Sequence, residues 1–129
     1  MCLRRGLRRA WIWGPLFAYV GLIFYFSSQS QIGWATLTPD YINHAVEYFG
    51  LSILMARALN DGLHRPLTAR TLWLTFLLCV ACGSVDELYQ KLTPNRLSDI
   101  RDVLSDSTGA AAGILALLWA RRLIGRPER

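Results

Sequence analysis

Four long apolar stretches, charged residues gathered in blocks between them and toward their ends, and arginines sorted to alternate connections predict an all-α integral membrane bundle of four transmembrane helices. The 129 residues read as a single domain, 1–129, arranged as up-down antiparallel hairpins with both termini cytoplasmic. Apolar residues make up 53% of the chain and charged residues 18%. A soluble domain spreads its charge along every element, whereas a membrane domain gathers it at the ends of its spans. The formal net charge is +5, and the pI near 9.6 would also suit a nucleic-acid binder. The arginines lie at the ends of apolar segments, where they serve orientation and lipid headgroups. Membrane lipids are therefore the expected partners, and nucleic acid is not.

Roughly 20 residues are needed to cross the hydrocarbon core. The first span is expected at 11–28, after the basic segment MCLRRGLRRA. That start resembles a signal peptide, but no small-x-small cleavage site follows and further apolar spans come after, so a retained first helix is expected. The second span is expected at 41–59, the third at 71–90 and the fourth at 103–124. The second and third carry ionisable residues, which weakens their hydropathy signal. The connections are short, which makes sequential helices antiparallel neighbours.

Charge sets the orientation. Arg4, Arg5, Arg8, Arg9, Arg57, Arg65, Arg70, Arg121, Arg122, Arg126 and Arg129 fall on one side, with only Asp61 and Glu128 as acids. The other side holds Lys91, Arg96 and Arg101 against Asp40, Glu47, Asp86, Glu87, Asp99, Asp102 and Asp106. The basic side is expected in the cytoplasm of a bacterial inner membrane, and the acidic side outward. Trp11, Trp13, Trp73 and Trp119 fall near the cytoplasmic boundary and Trp34 in the first outer loop, as an aromatic belt predicts.

The three cysteines are Cys2, Cys79 and Cys82. The C-V-A-C of the last two lacks a second pair or a redox fold around it, so apolar filler is the better reading. No cofactor is expected.

The polar residues gather at the outer ends of all four spans. Ser27, Ser28, Gln29 and Ser30 end the first. Asp40, Asn43, His44, Glu47 and Tyr48 open the second. Asp86, Glu87 and Gln90 end the third, and Arg96, Asp99, Asp102 and Asp106 lead into the fourth. His44, Glu47 and Tyr48 share one helix face by their i, i+3, i+4 spacing. Asp102, Asp106, Gly109 and Gly113 also share a face, and the last two form a GxxxG, whose small residues let helix backbones approach in lipid. The two aspartates should therefore point into the bundle. Gly14, Ala18, Gly21, Tyr25 and Ser28 form a similar stripe on the first helix.

Each feature also has a plainer reading. Asp40, Asp99 and Asp102 suit helix starts through capping and the dipole. Ser27 to Ser30 suit an interface. His44 with Glu47 suits a hydrogen-bonded pair holding two helices. Asp86 and Glu87 resist this treatment, because acids at a helix C-terminus oppose the dipole, and acids within a membrane are functional by default.

These residues resemble the VanZ-like membrane protein family. The blocks that carry the likeness are F-Y-F-S-S-Q-S from Phe24, Asp40 through Leu59, and Gly83 through Gly113. The family pattern in the last block is D-E-x-x-Q, a P-G-R-like turn, D-V, then Asp or Asn, then glycines. It is matched at Asp86, Glu87, Gln90, Pro94, Arg96, Asp102, Val103, Asp106 and Gly109. Tyr41 stands where the family often has Lys, and Asn95 replaces the turn glycine, a residue that tolerates a left-handed backbone. The resemblance implies a small four-span protein of the cell envelope related to one linked to teicoplanin, a glycopeptide antibiotic.

Three functions follow for comparison. In the first, the outer cluster of Ser28, Gln29, His44, Glu47, Tyr48, Asp86, Glu87, Gln90, Arg96, Asp102 and Asp106 binds a lipid-linked or glycopeptide-like ligand, or a protein partner. In the second, His44, Glu47, Asp86 and Glu87 supply acid–base or divalent-metal chemistry on a lipid headgroup, although no recognised metal motif such as HExxH is present. In the third, the chain is a small transporter, against which its size and the one-sided polar residues argue. A homo-oligomer stays open.

Overall fold

A computed structural model describes residues 2–29, 39–93 and 99–125, with side chains from residue 4 onward. Among these residues the chain is all helical. Helix α1 is Cys2–Ser27, α2 Asp40–Leu59, α3 Ala69–Gln90 and α4 Ile100–Leu123. Three are long and apolar enough to cross a membrane: Arg4–Ser27 of α1, and the whole of α3 and α4. The expectation of four such helices is met only in part, because α2 is not among them. Large apolar side chains stand exposed along the outer faces, including Phe17, Leu22, Leu77, Leu78, Val85, Leu104 and Leu115. Water would not tolerate so continuous an apolar surface, and lipid would.

Helix α2 differs in carrying Asp40, Asn43, His44, Glu47 and Arg57. It packs against all three other helices, as α3 also does, and among the described residues α1 and α4 make no contact. A helix enclosed by protein can carry polar residues that lipid would reject. Sequential helices do pack together, but the most intimate pair is α2 with α4, and those two run parallel.

The GxxxG of α4 causes this. A methyl group at Gly109 would overlap the backbone carbonyl of Ala45, and one at Gly113 would meet the Phe49 carbonyl and Ser52 Oγ. One turn toward the start, Ser105 Oγ donates to the Tyr41 carbonyl. Each four-residue step along α2 is thus matched by a four-residue step along α4, the packing of i±4 ridges on each helix.

Helix α1 buries Ile12, Leu16, Ile23 and Ser27, a helical stripe facing α2 and α3. Tyr19 reaches α2, where its hydroxyl donates to the Glu47 carbonyl at 3.1 Å in the space left by Gly50. The small-residue stripe expected to pack here, Gly14, Ala18 and Gly21, faces outward, and nothing lies within 4 Å of a methyl placed on either glycine. The larger side chains between them fill the interhelical space instead.

The arginine-rich end is tied by guanidinium groups. Pro15 lies within α1 and has no N–H to offer the Trp11 carbonyl one turn back. Arg57 supplies the missing donor, reaching the carbonyls of Trp11 at 3.0 Å and Ile12 at 2.8 Å. Its guanidinium also lies 5.9 Å from the Trp11 ring centre. Arg121 donates to the carbonyls of Leu63 and Arg65 in the α2–α3 connection, and Arg8 pairs with Asp61. Trp11, Trp73 and Trp119 stand exposed at this end.

Candidate functional site

The opposite end collects the polar side chains, since α1 and α3 finish there and α2 and α4 begin there. Ser27, His44, Asp86, Glu87, Gln90, Asp102 and Asp106 are all buried.

Between α2 and α4, His44 Nδ1 and Asp106 Oδ1 are hydrogen bonded at 2.9 Å. The His44 side chain is 4% exposed and that of Asp106 0%. The close approach at Gly109 sets this pairing, because the register that puts Ala45 on Gly109 also puts His44 beside Asp106. The other Asp106 oxygen packs onto α3, where a methyl at Gly83 would come within 2.5 Å of it. Gly83 is a site residue that the sequence reading did not single out. Its signal was present, since it lies three residues before Asp86 on the same face of α3.

Between α1 and α3, Ser27 Oγ donates to Asp86 Oδ2 at 2.9 Å, and Gln90 Nε2 donates to the same oxygen at 3.1 Å. The i, i+4 spacing of Asp86 and Gln90 aligns the second donor. Ser27 takes the place expected for its neighbours. Ser28 instead donates back to the Tyr25 carbonyl, and Gln29 Nε2 donates to Ser28 Oγ. Ser27 is four residues beyond Ile23, on the buried stripe of α1, and that periodicity was the available signal.

The two halves adjoin. The carboxyls of Asp86 and Glu87 lie close enough to Asp106 to act on it electrostatically. Glu47, half-buried, is within the same reach of His44, Asp86 and Asp106. Tyr48, one turn below His44, is fully buried, with its hydroxyl beside the Cys82 thiol. Cys79 is buried in the apolar core with Leu51 and Ala110. The partner of His44 is thus Asp106 and not Glu47.

Toward the rim, Asp102 is buried one turn before Asp106, and Asp40 is exposed one turn before His44. One ring nitrogen of His44 and one oxygen each of Asp40 and Asp102 lie within 4.8 Å of one another. Pro39 is the N-cap of α2 and Asp40 its first residue, while Asp99 caps α4 by accepting from the Arg101 N–H at 2.9 Å. Arg96 lies outside the described residues.

Fold and site together define a small helical membrane protein whose four helices enclose a histidine and several carboxyls at one end. The chain belongs to the VanZ/LLP1 family, whose profile matches residues 12–121. That match takes in both halves of the site. No curated protein and no solved structure matches the chain.

Proposed function

We propose that this chain is a multi-pass protein of the bacterial cytoplasmic membrane that binds the polar head of a lipid-linked envelope ligand at its acidic end. In this reading α2 also spans the bilayer, both termini lie in the cytoplasm, and the His44–Asp106 end faces outward. The observation that supports it best is the burial of seven polar side chains, five of them ionisable and drawn together with Ser27 and Gln90 from all four helices, at one end of the bundle. Desolvating such groups is costly in lipid, and a bundle needing only stability would carry apolar ones. A groove of about 460 Å³ between α2 and α4 starts beside this end. Its lining of Tyr41, Ala45, Phe49, Ser105 and Gly109 suits an acyl or prenyl chain whose head reaches the site.

Orientation is tested by labelling intact cells with a membrane-impermeant maleimide. Cysteine at Lys91 (Lys91→Cys) should react and Asp61→Cys should not, in a chain carrying Cys2→Ser. The reverse pattern would place the site on the cytoplasmic side.

Binding is tested in cells in which the wild-type chain alters tolerance to a glycopeptide such as teicoplanin. At equal protein level, Asp86→Asn and His44→Gln should each remove most of that effect, while Leu77→Ala on the outer face should retain it. Full activity in both site variants would overturn the reading.

The hydrogen bond from His44 to Asp106 favours a second reading, an enzyme acting on the same headgroup. A carboxylate on Nδ1 fixes the imidazole tautomer and leaves Nε2 as a proton acceptor.

A further inference from the structure

We infer that Asp40, His44 and Asp102 form a binding site for one divalent transition-metal ion of the zinc class, with Asp106 positioning the histidine.

The register of α2 on α4 builds this site. The step that places His44 beside Asp106 also places Asp40 beside Asp102 one turn nearer the helix starts. The three residues then present a nitrogen and two oxygens within 4.8 Å of one another. Zinc is bound through bonds of about 2.0–2.2 Å, which hold ligand atoms roughly 3.5 Å apart. The remaining closure falls to Asp40, which is exposed at the first position of α2, outside the packed core.

Two features separate this set from an ordinary cluster of acids. The histidine is almost wholly buried, and Nδ1 is engaged by Asp106 at 2.9 Å. Metal-ligating histidines characteristically donate their second N–H to a carboxylate, which fixes the tautomer and raises ligand basicity. Nε2 is therefore the nitrogen left with a lone pair. The donor chemistry, one imidazole and two carboxylates, selects zinc or manganese over the all-oxygen coordination of calcium and magnesium. Three protein ligands also leave a coordination position open to water or to a phosphate oxygen of a headgroup.

This inference takes the site's location from the headgroup reading, but the metal is measured on purified protein and needs no cell phenotype. The full chain, purified in detergent and stripped with chelator, is titrated with zinc chloride. Stoichiometry comes from elemental analysis after desalting, and affinity from competition with a zinc dye. The expected result is one zinc per wild-type chain and a rise in Tm with zinc. Asp40→Asn and His44→Gln should each weaken binding at least tenfold, and Asp106→Asn should weaken it about 10–100-fold through loss of the orienting carboxylate. Leu77→Ala on the outer face of α3 should bind as the wild type does. Asp40→Asn keeps the test decisive if the buried variants fail to fold, because its side chain is at the surface. Zinc content that does not change in Asp40→Asn, or wild-type protein that retains no zinc, overturns the metal site. Either result combined with loss of glycopeptide tolerance in Asp86→Asn leaves the headgroup reading standing.

Discussion

Gly109→Ala should part α2 from α4 and lower stability by about 3 kcal/mol, the upper end of ordinary overpacking. The new methyl would occupy the position of the Ala45 carbonyl. A flexible side chain could swing aside, but a carbonyl within a helix cannot move without its helix. Ser105 would then leave the Tyr41 carbonyl, and His44 would be drawn from Asp106, because all three contacts follow one register. Gly113→Ala should act in the same direction through the Phe49 carbonyl. Gly14→Ala and Gly21→Ala provide the contrast. Both positions are open, so the better helix propensity of alanine, up to about 1 kcal/mol per site, should appear as unchanged or slightly raised stability. Reversible unfolding in detergent micelles, followed by circular dichroism, measures all four. Equal stability of Gly109→Ala and wild type would show that the helices are not in contact there.

The second large effect belongs to the buried pair. His44→Leu strands the Asp106 carboxyl in the interior and should cost about 3–5 kcal/mol, the usual result of removing one partner from a buried pair. Asp106→Leu strands the imidazole and adds a clash over Gly83, so it should cost at least as much. The double variant should be more stable than the sum of the two losses predicts, by about 2 kcal/mol or more, because neither unpaired group is then left behind. Asp106→Asn keeps the shape and an acceptor for the Nδ1 proton, and should lose about 1 kcal/mol or less. The same unfolding measurement applies. Additive losses would mean that His44 and Asp106 do not interact.

These expectations separate what a residue pattern reveals from what it hides. Asp102, Asp106, Gly109 and Gly113 could be placed on one inward face from their spacing, and all four are buried. Their partner helix could not be read from that spacing. Short connections favoured antiparallel neighbours, yet α4 packs most closely on the parallel helix α2. Likewise, the polar run from Ser27 to Ser30 was visible, but the member that enters the site depended on which face of α1 turns inward. The small residues suggested one face, and the larger apolar residues Ile12, Leu16 and Ile23 occupy the opposite answer. In the sequence Arg57 carries only an orientation signal through its charge, whereas in the structure it satisfies the Trp11 carbonyl freed by Pro15.

The sequence by itself determined the helical class, the approximate bounds of α2, α3 and α4, the separation of arginines from acids, and the family, because these depend on composition and on periodicity along one chain, whereas α1 begins at Cys2, well before the expected start at 11. Only the tertiary structure decided that His44 meets Asp106, that Ser27 meets Asp86, and that Asp40 and Asp102 draw near the imidazole. Those pairings depend on how closely two backbones approach, and a single missing methyl at Gly109 sets that distance between helices far apart in the sequence.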